Sequence, residues 1–254
     1  MESYLIINNH AKEEETNMLQ LERQQDILRL LSEQKSMTVK ELCAALYASP
    51  ATIRRDLADM ERAGQLRRSF GGAVLTENYP DQMPLAVRAC DHIAEKKRIC
   101  AKAVQWIQPG ETIFIDASST TYFLIPHLRE IPELTVITNN PNVNIALAQH
   151  NVRSFCTGGE MLNGSIALVG SEAERFVRGV HAHAVFFSAR GVCDGAISDS
   201  SAGERNVKLA MLEHATRKYF LCDTSKYGQI YPYLITKTDE IDMVLDERQK
   251  ENLI

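Results

Sequence analysis

Two groups of residues in this 254-residue sequence have types and spacing suited to binding anions. The first is Thr52-Ile53-Arg54-Arg55, which follows Ser49-Pro50-Ala51. A guanidinium presents a planar fork of donors that grips two acceptors of one phosphate or of one guanine edge. The Thr52 hydroxyl can bond to either. The second is Asp116-Ala117-Ser118-Ser119-Thr120-Thr121, four hydroxyl residues opening an expected helix. Hydroxyls and free N–H groups at a helix N-terminus suit a phosphate. Alone, each is ordinary: paired arginines are mostly a solvated face, and a hydroxyl cluster is mostly an N-cap. Their surroundings give them weight.

The first group lies in a compact helical module. A helical pattern starts near Leu19 and carries Ile27, Leu28 and Leu31 at helix spacing. The polar stretch Ser32 to Met37 breaks it. Thr38-Val39-Lys40-Glu41 is a capping box, which predicts a short helix from Val39 to about Tyr47 that buries Leu42 and Leu46. Ser49 is a preferred N-cap, and Pro50 fits the first helical position because its missing N–H has no partner there. The helix so opened runs to about Ala63 and stops at Gly64. Its inner stripe is Ile53, Leu57 and Met60, so Ala51, Thr52, Arg55 and Arg62 point away, with Arg54 to one side. Gln65 to Ser69, Phe70-Gly71-Gly72 and Ala73 to Leu75 read as strand, glycine turn and strand, with Arg67 and Arg68 at the base. This order is that of a winged helix-turn-helix over residues 19–76. Residues 1–18 are expected to be a frayed extension, and residues 77–92, rich in Pro and polar residues, a linker.

From Ile93 to the C-terminus the pattern changes to α/β. Continuous apolar strands at Thr112–Ile115, Leu134–Thr138, Val152–Cys156, Ala184–Phe187, Tyr219–Cys222 and Met243–Leu245 are interleaved with helices at about Ala94–Ile107, Thr121–Leu128, Asn142–Gln149 and Glu204–His214. Strands without polar alternation are covered on both faces, which predicts a mostly parallel sheet. Ligands of such sheets bind at the carboxyl ends of the strands. Five of those ends carry small or polar residues: Asp116 to Thr121, Thr138-Asn139-Asn140, Thr157-Gly158-Gly159, Ser188-Ala189-Arg190-Gly191 and Asp223-Thr224-Ser225-Lys226.

Composition limits the function classes. The net charge of -5 argues against an indiscriminate polyanion binder. The charge is uneven, however: between Gln20 and Thr76 nine basic residues face seven acidic ones, a local +2 against -7 elsewhere. No apolar stretch reaches the roughly 18–20 residues of a membrane span, and the start of the chain lacks signal-peptide character, so a cytoplasmic location is expected. The six cysteines form no C-x-x-C pair and read as isolated reduced thiols. His181 and His183 share one side of a strand but lack a third ligand, and read as polar surface residues. Neither a metal nor a cofactor is expected.

Thr52-Ile53-Arg54-Arg55-Asp56-Leu57, then Gly64 and Arg68-Ser69-Phe70-Gly71-Gly72-Ala73, resemble the DNA-binding signature of the DeoR family of bacterial regulators. Phe70 departs from the His that the family often carries before Gly-Gly. The second segment resembles that family's sensor domain, which is related to ribose-5-phosphate isomerase. The family's Asp-x-Gly-Thr-Thr corresponds to Asp116 through Thr120, with Ser118 and Ser119 as departures. Thr138-Asn139, Gly158-Gly159, Asp223 through Lys226, and Lys208 are further counterparts. The resemblance spans about Leu21 to Leu245. It implies a homodimeric or homotetrameric regulator, a repressor of a sugar-catabolism operon, that binds double-stranded operator DNA and responds to a phosphorylated sugar or similar metabolite. The residues assigned to DNA are Thr38, Ser49, Ala51, Thr52, Arg54, Arg55, Arg67, Arg68 and Gly71. Those assigned to the effector are Asp116, Ser118, Ser119, Thr120, Thr121, Thr138, Asn139, Gly158, Gly159, Arg190, Gly191, Lys208 and Lys226. Two other readings stand beside this one. A sugar-phosphate isomerase with an accessory winged helix would need a base such as Asp116, Glu204 or Asp223. A winged helix used against another protein would lack strongly salt-dependent DNA affinity.

Overall fold

The computed structural model describes residues 20, 22–31, 34, 36–62, 65–69, 71–74, 88–89, 91–162 and 165–248. The expected extension at 1–18, most of the linker, the Gly64 stop, Phe70 and the side chain of Arg67 lie outside the described residues. The chain divides into two units, Met1–Asp91 and His92–Ile254.

In the first unit, helix α1 covers residues 22–31 and turns Ile27, Leu28 and Leu31 inward. Helix α2 is Val39–Leu46. Its capping box forms as expected: the Glu41 N–H donates to Thr38 Oγ1, and the Thr38 N–H donates to the Glu41 carboxylate at 2.7 Å. Helix α3 is Pro50–Arg62, opened by the Ser49 hydroxyl, which accepts from the Thr52 N–H at 3.2 Å. These helices close over Ile53, Leu57, Met60, Leu42 and Leu66, and each such fully buried side chain contributes about 1.5–3 kcal/mol.

The wing has a third strand that the polar reading of residues 32–37 missed. Strand β1 (Ser36–Thr38) pairs antiparallel with β3 (Gly72–Val74), which also pairs with β2 (Arg67–Ser69). With three residues, β1 is too short to display a period, and only Met37 turns into the core. The pairing explains the glycine after the turn: a Cβ on Gly72 would lie 2.2 Å from the Met37 carbonyl oxygen.

The second unit is built on six parallel strands in the order β14-β12-β9-β4-β5-β6. These are β4 (Thr112–Ile115), β5 (Thr135–Thr138), β6 (Arg153–Cys156), β9 (Ala182–Phe187), β12 (Ala215–Leu221) and β14 (Met243–Leu245). Successive side chains on a strand face opposite ways. Thus Phe114, Val185, Phe187 and Phe220 enter one apolar cluster, while Ile113, Ile115, Phe186, Tyr219 and Leu221 enter the other. Both faces need cover, and the helices supply it: α4 (Ile93–Ala103), α5 (Ile125–Leu128), α6 (Pro141–Gln149), α7 (Ser171–Arg178) and α8 (Ala202–Glu213). The helix expected over Thr121–Leu128 begins as a 3-10 turn at Thr121–Leu124 and becomes α only at Ile125, which puts Pro126 in the first α turn, where its missing donor does no harm.

Two small antiparallel sheets escaped the sequence reading. One joins β10 (Gly191–Cys193), β11 (Ala196–Asp199) and β13 (Tyr233–Lys237); the other joins β7 (Glu160–Met161) and β8 (Leu168–Val169). The chain runs outward from β4 through β5 to β6, then returns to lay β9 against the other side of β4. The strand order therefore reverses between β4 and β9, and in sheets of this kind that switch point, at the strands' carboxyl ends, is where the ligand crevice lies. His181 and His183 lie away from it, at the start of β9. The Thr112 N–H donates to His183 Nδ1 at 3.0 Å, and His181 bonds to Thr216. Among the described residues, no helix is long and apolar enough to cross a membrane.

Gly72→Ala is expected to cost about 2–3 kcal/mol through the forced contact with Met37. Hydrogen exchange checks it: the amides of Ser36–Thr38 and Gly72–Val74 lose protection in Gly72→Ala. Wild-type protection there would contradict the account.

Candidate functional site

Two surfaces gather the residues singled out above. On α3, Ile53, Asp56, Leu57 and Met60 are buried, while Ala51, Arg54 and Arg55 are exposed and Thr52 is half-buried. Among the described residues, no hydrogen bond or ion pair engages the guanidinium of Arg54 or Arg55. The other arginines nearby are engaged. Arg23 grips the buried Asp56 carboxylate through Nε at 2.5 Å and Nη2 at 3.2 Å. Arg62 pairs with Asp59, and Arg68 lies 3.3 Å from Glu61. The α3 arginines therefore offer unspent charge beside a helix N-terminus, which is itself attractive to phosphates.

Other residues assigned to DNA already have structural work. The Thr38 and Ser49 hydroxyls cap helices. Gly71 forms the tip of the wing with φ at 87°, and its carbonyl accepts from the Val39 N–H at 2.8 Å, fastening the wing to the start of α2.

The second surface is the crevice between β4 and β9. The Asp116 carboxylate, 1% exposed, organises the loop after β4. Its Oδ1 accepts from the Ser118 N–H at 3.2 Å and the Thr121 hydroxyl at 2.9 Å; its Oδ2 accepts from the Ser188 N–H at 3.2 Å. Ser118 and Thr121 bond to each other through their hydroxyls at 2.8 Å. Neither Ser118 nor Ser119 has a positive φ, so the loop closes without the glycine found in the family pattern. Asp116 thus accepts from three of the protein's own donors.

Lys226 ties three strand ends together. Its Nζ lies 2.7 Å from Ser188 Oγ after β9, 3.0 Å from Thr120 Oγ1 after β4 and 3.2 Å from Asp223 Oδ2 after β12. Burial alone would raise the Asp223 carboxyl, but the Lys226 ammonium, the Ser225 hydroxyl and Lys96 together hold it below its ordinary value. Lys208 is placed differently from its expected role. Its Nζ lies 2.5 Å from Asp199 and 3.6 Å from Asp116. Burial would lower its pKa, but Asp199 first, then Asp116 and Glu204, hold it well above the usual lysine value. Its charge is consumed inside the fold.

The remaining residues frame the crevice. Asn139 fastens β8: its backbone carbonyl accepts from the Leu168 N–H at 2.7 Å, and its side-chain Nδ2 donates to the Leu168 carbonyl at 3.0 Å. The Thr138 hydroxyl accepts from the Asn140 N–H. Gly159 lets β8 close in: a Cβ there would meet the Val169 carbonyl oxygen at 2.5 Å, and Gly158 precedes it in the same loop. Arg190 donates to Ser200 Oγ and lies over the Tyr231 ring, while Gly191 starts β10 beneath Gln229.

Two site residues were missed from sequence. Lys96, 3% exposed, projects from α4 one turn before Cys100, whose thiol donates to the Thr120 carbonyl at 3.1 Å. A lysine on the stripe with Ile99, Cys100 and Ala103 was the available signal. Glu204 was weighed only as a catalytic base. It is 7% exposed, and its Oε1 has no hydrogen-bond partner, as is also true of Asn139 Oδ1. Asn139 Oδ1, just after β5, and Glu204 Oε1, in the first turn of α8, are thus buried acceptors without a partner among the described residues.

Residues 91–248 match the DeoR C terminal sensor domain, and residues 23–78 match the DeoR-like helix-turn-helix domain. The chain belongs to the DeoR family of transcriptional regulators. The regulator is 34% identical to the uncharacterized HTH-type transcriptional regulator YulB of Bacillus subtilis (strain 168), over 83% of this chain and 82% of that protein. It is 31% identical to the HTH-type transcriptional regulator GolR of Listeria innocua, over 91% and 92%. It is 32% identical to a lactose phosphotransferase system repressor of Staphylococcus epidermidis, over 84% and 86%. This is a DNA-binding transcriptional regulator, not the isomerase-like enzyme of the alternative reading.

Asp116→Ala would strand the Ser188 N–H and the Thr121 hydroxyl and remove one of the carboxylates around Lys208. A loss of about 3–5 kcal/mol is expected in urea unfolding of the second unit. A loss under about 1 kcal/mol would contradict the organising role of this carboxylate.

Proposed function

We propose that this regulator represses a sugar-catabolism operon, and that a phosphorylated sugar bound at the strand-end crevice releases it from its operator. One observation carries the effector half. The Lys226 ammonium bridges the loops of β4, β9 and β12 at the point where strand order reverses, and the unpartnered acceptors Asn139 Oδ1 and Glu204 Oε1 belong to the same group of strand ends and α8. A phosphate complements the ammonium, and sugar hydroxyls supply donors to the acceptors. The phosphate rests on the backbone and hydroxyls of Ser118, Ser119, Thr120 and Thr121 beside Lys226. The name of the lactose phosphotransferase system repressor supports a sugar operon as the target.

On the DNA side, Arg54 and Arg55 of α3, with Thr52, read the major groove, and the wing residues Arg67, Arg68 and Gly71 follow the adjacent backbone. One helix-turn-helix covers one half-site, so the working form is a homodimer or homotetramer in the cytoplasm. The effector acts through a higher affinity for the form that does not hold DNA.

Selection of bound duplexes from a random pool by the full chain tests this reading. A repeated motif should be enriched, and the Arg54→Ala/Arg55→Ala variant should lose it. A panel of pentose and hexose phosphates should then contain a compound that lowers affinity for that duplex at least about tenfold, a difference of about 1.4 kcal/mol; Lys226→Ala should abolish the response while DNA binding persists. No enriched motif would defeat the operator reading. An enriched motif with no response to any phosphorylated sugar would defeat the effector reading alone.

A further inference from the structure

Tyr47 stands out in the first unit for two independent reasons. It is 98% exposed, whereas no other exposed large apolar or aromatic residue among those described exceeds the 59% of Ile230. It is also the C-cap of α2 with φ at 51° and ψ at 35°, in the left-handed region. That conformation favours Gly or Asn, because a Cβ crowds the following carbonyl. The turn is closed by backbone alone: the Tyr47 N–H caps on the Cys43 carbonyl, as does the Ala48 N–H at 3.3 Å. The ring therefore adds no burial, makes no cap and occupies a conformation that disfavours it. Strain that the fold does not need points to a contact outside the fold.

The position of Tyr47 indicates which contact. The residue lies two positions before Ser49, whose hydroxyl caps the first turn of α3. It therefore stands at the helix end where free N–H groups and the positive end of the helix dipole attract phosphate. The exposed guanidiniums of Arg54 and Arg55, which have no ion-pair partner among the described residues, belong to the next turn of the same helix. A phenol suits the border of such a surface. Its ring lies flat on a deoxyribose, its hydroxyl donates to a phosphate oxygen, and it loses little rotamer freedom in doing so.

We propose that Tyr47 is a direct DNA contact, its ring packed on a sugar and its hydroxyl on a phosphate of the strand bordering the groove that the α3 N-terminus enters. The left-handed backbone at Tyr47 is what aims the ring outward from the turn. This goes beyond the arginine contacts already assigned and does not depend on the effector.

The test uses the full chain and the duplex that it enriches from a random pool. Affinity is measured at fixed salt for wild type, Tyr47→Asn, Tyr47→Gly and Tyr47→Phe, together with the thermal midpoint of each protein. Asn and Gly should hold or raise the midpoint, since each accepts the left-handed backbone, yet weaken DNA binding about 5–20-fold. Phe should retain the ring contact and lose only about 2–4-fold. Hydroxyl-radical labelling of Tyr47 should fall when the duplex is added. Wild-type affinity in both Asn and Gly overturns the proposal, as does unchanged labelling of Tyr47 in the complex. A fall in midpoint that accompanies the loss of binding also overturns it, because the ring would then serve the fold. An unchanged DNA affinity with altered oligomeric state would assign the ring to a protein partner and likewise overturn it.

Discussion

Asp116 and Asp199 leave water together, and Lys208 is the ammonium that compensates both. Taking three charges into a protein interior costs several kcal/mol per ion, and only close pairing with further hydrogen bonds offsets that cost. Asp116 accepts from Ser118, Thr121 and Ser188, and Asp199 accepts from the Ser200 N–H at 2.8 Å. The consequence is mechanical. The loop after β4, the loop after β9, the end of β11 and the helix α8 cannot move separately without exposing an unpaired charge. Lys226 and Asp223 extend the same network to β12. The strand ends are therefore pre-organised around Lys226, and Asn139 Oδ1 and Glu204 Oε1 are buried acceptors without a hydrogen-bond partner among the described residues.

The DNA-binding unit uses the same device on a smaller scale. Within Arg54-Arg55-Asp56, three adjacent residues have opposite fates. Asp56 is buried and clamped by Arg23 of α1, which fixes α3 against the module. Arg54 and Arg55 lie on the other faces of the same helix turn and, among the described residues, have no ion-pair partner. A buried ion pair is weak evidence for stability; here the Arg23–Asp56 pair ties the buried face of α3 to α1. In both units, buried carboxylates paired with cations hold the scaffold.

Much of this was legible in the sequence. The capping box at Thr38, the Ser49-Pro50 start and the stripe Ile53, Leu57, Met60 each encode a local rule, and each appears as read. The parallel sheet was legible because its strands are apolar on both faces. What was not legible depends on contacts distant in sequence. Strand β1 is defined by its partner Gly72 rather than by its own pattern. The small sheets are strands of two to five residues. Type and position marked Asp116 and Lys208 as site residues, while only geometry reveals that both belong to one buried ionic network with Asp199. Lys96 lies in an apolar helix stripe far in sequence from Asp223, whose carboxyl it helps to hold low, and no local rule connects the two.

The division of labour between the two lysines is the central claim, and the comparison of Lys208→Met with Lys226→Met tests it most directly. Unfolding free energy and affinity for a panel of sugar phosphates, with inorganic phosphate as the minimal probe, are measured for both full-length variants. Lys208→Met should lose about 3–5 kcal/mol of stability by stranding buried carboxylates. Lys226→Met should remain the more stable of the two and lose phosphate binding. A stable Lys208→Met protein that no longer binds phosphate, beside a Lys226→Met protein that binds it normally, would contradict the account.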